Sequence, residues 1–144
     1  MKKYILYTLT LFLFISLFAC KKKVEPSLSE KISKNWRITR ATFNGIPDNP
    51  TLYTTFRLRL NSDGNYTIII GGAPAKPNRT ASNVGKWVLQ SNNTQMIMDQ
   101  GRPEEAIIFL VGTPTEQNLT LRFRQDKTVN KTEPEYTFEM IPAE

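Results

Sequence analysis

The chain of 144 residues contains no histidine and a single cysteine, Cys20. Without histidine there is no Ser-His-Asp triad and no histidine-ligated metal centre. A lone thiol ahead of the body of the chain leaves nothing to form a disulfide within it, so the fold must stand on its apolar core. A phosphate-cradling glycine loop is also missing: Gly71-Gly72 opens a long polar stretch that no helical pattern follows. The carboxylates Asp48, Asp63 and Asp126 fall in turn-like stretches, and Glu104-Glu105 follows Pro103. Solvated turn carboxylates keep ordinary pKa values, which suits general acid–base catalysis poorly. Glu104 and Glu105 could hold a cation only if the fold made sequence neighbours converge. The expectation is a protein with no enzymatic activity, no cofactor and no metal.

Long apolar runs are confined to one place. Lys2 and Lys3 precede a stretch from Tyr4 to Phe18, broken only by Thr8, Thr10 and Ser16 and ending Leu17-Phe18-Ala19-Cys20. A positive start, an apolar run short of the roughly 20 residues of a membrane span, and a small residue before the cut read as a secretory signal. The last four residues resemble the lipobox of bacterial lipoproteins. Leu17, Ala19 and Cys20 match that pattern, and Phe18 is bulkier than its second position usually is. The resemblance implies cleavage before Cys20, diacylglycerol on its sulfur and an acylated amine. A thiolate is the side-chain nucleophile best suited to take a lipid, and several acyl chains anchor durably where one would be marginal. Residues 1–19 are therefore expected to be a signal peptide, 20–26 a tether and 27–144 one domain.

Basic residues outnumber acidic ones 19 to 13, but the excess sits largely at Lys2, Lys3 and Lys21–Lys23. The domain itself is close to neutral, so the high pI does not speak for nucleic acid. Lys21–Lys23 either lies over anionic head groups or is a solvated tether. No aspartate follows Cys20. By resemblance to sorted lipoproteins this implies the outer membrane, and the run is not the acidic patch linked with surface display, which favours the periplasmic face. The membrane, reached through lipid on Cys20, is the first expected partner.

Ser27-Leu28-Ser29-Glu30 is a capping-box pattern that predicts one or two helical turns, with Leu28 and Ile32 on one face. Beyond Lys34 the period is two. Strands are expected at residues 35–43, 55–60, 66–70, 84–90, 95–99, 106–111, 119–124 and 136–141. Most alternate cleanly, as in Phe56, Leu58 and Leu60 against Arg57 and Arg59. The run from Ala106 to Val111 is apolar throughout and is expected to be buried on both faces. Asn61–Asn65, with Asp63-Gly64 inside it, predicts a hairpin turn, and Ser91-Asn92-Asn93 another. Eight consecutive strands, each with one apolar face, predict an all-β fold: an eight-stranded antiparallel up-and-down barrel with a short N-terminal helix. An open two-sheet sandwich is the alternative.

A short helix leading into Trp36, then Asp63-Gly64-Asn65-Tyr66 with Phe56 upstream, then Gly85-Lys86-Trp87-Val88-Leu89, is similar to the lipocalin-like lipoproteins common in Bacteroidetes. The resemblance covers about Leu28 to Ile141. It departs from the family at Lys34, where glycine is common. It implies an eight-stranded lipocalin-like barrel and no reaction.

Trp36 and Trp87 are either core residues, one plugging the barrel floor against Leu28 and Ile32, or the lining of a ligand cavity. Phe56, Tyr66, Phe123 and Phe138 share that ambiguity. Arg57, Arg59, Arg122 and Arg124 form two Arg-x-Arg pairs on polar strand faces. They either bind an acidic group, if adjacent, or stay solvated and paired. Aromatics that could stack nucleic acid lie on the opposite face, which excludes that partner. Asn65, Asn78, Asn118 and Asn130 each begin an Asn-x-Thr tripeptide, read as turn asparagines before strand threonines. Residues 71–83 are long for a hairpin loop and are the candidate for specificity. The leading functional expectation is a barrel that binds a small apolar or amphipathic molecule near the membrane. The alternative is a solid-cored structural or interaction lipoprotein whose outer face meets another envelope protein.

Overall fold

The computed structural model describes residues 25–76, 83–102, 105–124 and 134–144. The expected leader, Cys20 and Lys21–Lys23 lie outside the described residues, as do Asn78, Pro103, Glu104, Asp126, Asn130 and the second half of the loop 71–83.

Helix α1 (Leu28–Ile32) starts as its sequence predicts. The Ser27 hydroxyl accepts from the Glu30 amide, and the Glu30 carboxylate accepts from the Ser27 amide at 2.7 Å. The Ser27 hydroxyl also donates to that carboxylate at 2.8 Å, and the two donors, amide first and hydroxyl second, hold the Glu30 carboxyl below its ordinary pKa.

Nine strands follow among the described residues: β1 (Asn35–Phe43), β2 (Ile46–Pro47), β3 (Arg57–Leu60), β4 (Asn65–Ile69), β5 (Val84–Gln90), β6 (Gln95–Met98), β7 (Ala106–Leu110), β8 (Leu119–Arg124) and β9 (Glu135–Pro142). From β3 onward each strand pairs antiparallel with the next, β1 pairs with β3, and β9 pairs back onto β1. Eight strands thus close into a barrel, with β2 as a two-residue spur on β1.

Closure depends on an irregularity in β1. Ile38 stands opposite Met140 but Arg40 stands opposite Glu139, so Thr39 is one residue too many. A bulge of this kind moves every later side chain to the other face. Before it, Trp36 and Ile38 face inward; after it, Ala41 does. The Thr39 hydroxyl secures the bulge by donating to the Glu139 carbonyl at 3.0 Å.

Inward residues of all eight strands join one hydrophobic cluster. Leu58, Leu60, Tyr66, Ile68, Met96, Met98, Ile108, Leu119, Leu121 and Phe138 are each at most 1% exposed. At the end where β1 begins, α1 caps the barrel: Ile32 is fully buried, Leu28 packs on the core, and the Trp36 indole donates to the Ile32 carbonyl at 2.8 Å. The floor plug expected from Leu28, Ile32 and Trp36 is therefore what the structure has.

Two elements were not expected. Asn44 and Gly45 take φ of 51° and 80° and turn β1 into β2. A 3-10 helix, Pro50–Tyr53, then inserts Tyr53 into the core at the far end. The Asn-Gly dipeptide was the available signal. The expected turns at Gly64 and at Ser91-Asn92-Asn93 hold, all four residues having positive φ.

One expectation is corrected. The run 106–111 is not buried on both faces: Ala106, Ile108 and Leu110 are buried, while Ile107 and Phe109 are 49% and 39% exposed. A barrel wall is one layer thick and has only one face toward the core. We expect Ile108→Ala to cost about 2–5 kcal/mol and its neighbour Ile107→Ala within about 0.5 kcal/mol of nothing, measured as shifts in urea midpoint. Equal costs at both positions would contradict the alternation.

Candidate functional site: a filled interior and an amphipathic outer wall

All six expected lining residues point inward. Trp36, Phe56, Tyr66, Trp87, Phe123 and Phe138 are between 0% and 6% exposed and belong to the single core cluster. Phe56, Phe123 and Phe138 meet directly. Phe138 packs edge-on against Phe56 at 5.6 Å, Phe123 at 5.2 Å and Tyr53 at 5.4 Å between ring centroids. Such edge-to-face contacts add to the area each ring buries. The indoles are anchored separately, Trp36 on α1 and Trp87 by donating to the Asn61 carbonyl at 3.1 Å. Buried ring N–H groups need such partners.

Tyr66 leads to a residue that sequence reasoning passed over. Its hydroxyl donates to the Asp99 carboxylate at 2.5 Å. Asp99, 2% exposed, is the one buried charged residue among those described. Its other oxygen faces the Lys86 amide at 3.3 Å and the Arg102 guanidinium at 3.8 Å. Asp99 reads as a strand end in sequence, but its φ of 54° turns it out of β6, and this brings its carboxylate under Gly85. A Cβ at residue 85 would collide with that carboxylate. Glycine in Gly85-x-Trp87 is thus required by a close approach. The signal available beforehand was the glycine inside a strand.

A second tyrosine–carboxylate pair closes the far end. The Tyr53 hydroxyl donates to Asp48 at 2.5 Å. Burial, then that hydrogen bond and the charge of Asp48, raise the Tyr53 pKa far above its ordinary value; burial and Asp48 raise Tyr136 as well. In the loop after β4, Ala73 and Ala75 pack on the core and the Thr55 hydroxyl donates to the Gly71 carbonyl. The described half of the expected specificity loop is therefore docked against the barrel.

The outer wall divides into two kinds of surface. On the β3-β1-β9-β8 side, Arg57, Arg59, Arg37, Arg40, Arg122 and Arg124 alternate with the buried positions. The two Arg-x-Arg pairs are not on neighbouring strands; β1 and β9 stand between them. Arg40 pairs with Glu139 at 3.0 Å, Arg57 donates to the Thr54 and Phe56 carbonyls, and Arg59 donates to Asn61. An open groove of about 1040 Å³ runs along this side, lined in part by Arg37, Arg40, Arg57 and Glu144. On the β5-β6-β7 side an apolar row lies between outward Lys86 on one flank and the Gln90–Gln95 pair, opposite Phe109, on the other. Val88, Ile97 and Ile107 form one cross-strand row, with Phe109 and Val111 beyond it. Arg122 borders them, its guanidinium 5.8 Å from the Phe109 ring centroid. A smaller groove of about 310 Å³ joins this side to the start of α1, its lining including Ser27, Leu28, Val88 and Leu89.

Glu105 is tied to the Gly101 amide at 2.9 Å, and its neighbour Glu104 is outside the described residues. No group of three potential metal ligands occurs among the described residues. Asn65 and Asn118 stand at strand starts with Thr67 and Thr120 on the strands. No family model matches the chain, and neither does any curated protein.

Two outcomes follow. Gly85→Ala should destabilise by about 1–3 kcal/mol through overpacking. In an Asp99→Ala background the same change should cost clearly less, a coupling read from a double-mutant cycle in urea; purely additive effects would count against the collision. For the tyrosines, a folded pKa raised above the unfolded value of about 10 gives stability that is complete below pH 10 and lost as pH rises beyond it. The urea midpoint should fall above pH 10, and Tyr53→Phe should make that fall shallower.

Proposed function

We propose that this chain is an exported lipoprotein, acylated at Cys20 and held at the periplasmic face of the outer membrane. Its barrel is a non-catalytic interaction module with a solid core. The observation that carries the reading is the single interior cluster: inward residues of every strand pack on one another, and α1, Tyr53 and the Ala73–Ala75 segment pack on the same cluster. A barrel of eight strands is just wide enough for its own side chains to fill. Chemical variety is then left to the outside, where arginines and an apolar stripe sit on different strands. The lipobox-like Leu17–Cys20 supplies the address.

A second reading is the barrel as carrier of a small apolar molecule. It draws on the interior methionines Met96, Met98 and Met140, whose unbranched side chains repack more readily than branched ones.

Mass spectrometry of the protein taken from envelopes in mild detergent separates these. The expected result is an N-terminal Cys20 peptide carrying diacylglycerol and a further acyl chain, with no lipophile at stoichiometric level in the organic extract. An unmodified Cys20 would overturn the lipoprotein reading. A lipophile present at about one per chain would move the function inside the barrel.

A further inference from the structure

We infer that the apolar outer face of β5, β6 and β7 rests on the surface of an anionic phospholipid membrane, the one to which the chain is tethered. The inference deepens the proposed lipoprotein function and rests on acylation at Cys20.

The face is formed by register. Val88 stands opposite Ile97, and Ile97 opposite Ile107. Phe109 and Val111 extend the same side toward the end that α1 caps. Val88, Ile107, Phe109 and Val111 are 39%, 49%, 39% and 42% exposed; Ile97, between Val88 and Ile107, is 3% exposed, and Gln95 and Gln90 complete the row of Phe109. Isolated apolar side chains on a surface need no explanation, but a contiguous group does.

Two observations choose the occupant. The first is where the chain leaves the barrel. Ser27 and Leu28, the start of α1, share a groove with Val88 and Leu89, so the tether departs beside this face. From Cys20 to Pro26 are seven residues, which reach at most about 25 Å when fully extended. An acylated Cys20 therefore keeps the Val88 side within reach of the bilayer. The second is the chemistry of the border. Arg122 on β8 lies over the Phe109 ring, and Lys86 on β5 sits one outward position from Val88. Apolar side chains entering the head-group boundary with cations beside them match a layer of phosphates over acyl chains. Cations within a Debye length of an anionic surface add to its attraction.

The test uses the acylated full-length product in vesicles of phosphatidylethanolamine and phosphatidylglycerol. Cys20 is the chain's only cysteine, so once it is acylated Ile107→Cys supplies the single free thiol for an environment-sensitive dye. Arg37→Cys, exposed on β1 across the barrel, is the reference. With the dye at 107, emission should shift to the blue on reconstitution and be quenched at least about 2-fold more by acyl-chain nitroxides than with the dye at 37. Adding Phe109→Glu should bring quenching at 107 down to the level at 37 while circular dichroism stays β-rich. Equal quenching at 107 and 37 overturns the inference. So does a blue shift at 107 that depends on protein concentration and ignores lipid nitroxides, because the face is then covered by a second copy or another protein. Two dyes per chain mean that Cys20 is free, which sinks the lipoprotein reading and this inference with it; one dye per chain with equal quenching sinks the docking face alone.

Discussion

The pairing of β1 with β9 is the constraint on which the rest of the structure depends. Seven residue pairs run from Trp36–Pro142 to Phe43–Tyr136, and they turn a meander into a closed wall with no long free edge. Because the first and last strands meet, closure joins residues about a hundred positions apart. That contact carries a large loop-closure cost and is rewarded only when the interior packs. Thr39 makes the match possible. Were Thr39 paired regularly instead of bulged, the inward series Trp36 and Ile38 would continue to Arg40, and an arginine would enter the core opposite Phe138.

Closure also decides what the molecule can offer a partner. Once the wall is complete, side chains are sorted into two sets with little exchange between them. Among the described residues the interior receives nearly all the aromatic rings, with a buried phenol–carboxylate pair at Tyr66–Asp99 and a half-buried one at Tyr53–Asp48. A buried carboxylate with hydrogen-bond donors on both oxygens fixes geometry more than it promotes reaction. The exterior receives the arginines on one side and the Val88–Ile97–Ile107 row on the other. The lipoprotein reading and the membrane-facing stripe both use this outer set, the first through the tether and the second through the wall beside it.

Much of this was legible in the sequence because period-two alternation reports directly on a wall with one wet face. The eight strands and the inward set Trp36, Phe56, Tyr66, Trp87, Phe123 and Phe138 followed from that pattern, the capped helix from Ser27 and Glu30, and the Gly64 turn from Asp63-Gly64. It failed where something other than alternation governs. Ile107 and Phe109 look like core because a composition-based reading cannot see that a barrel has no second layer. Asp99 looks like a strand terminus because its importance lies in a positive φ and in what sits above it, and neither has a periodicity. The spur at Ile46–Pro47 and the plug at Tyr53 were hidden in a loop whose Asn44-Gly45 signal was present but isolated from any clear strand pattern on its far side. Residues that face the same way were readable; residues that meet across the barrel were not.

Native-state amide exchange along the β1–β9 seam tests closure most directly. If the seam holds the barrel together, the hydrogen-bonded amides of β1 and β9 exchange only through global unfolding, with the same opening free energy and denaturant dependence as those in the middle of β6. If the seam amides exchange through a smaller local opening while β6 stays protected, the wall is an open sheet with two edges, and the closed, filled barrel is wrong.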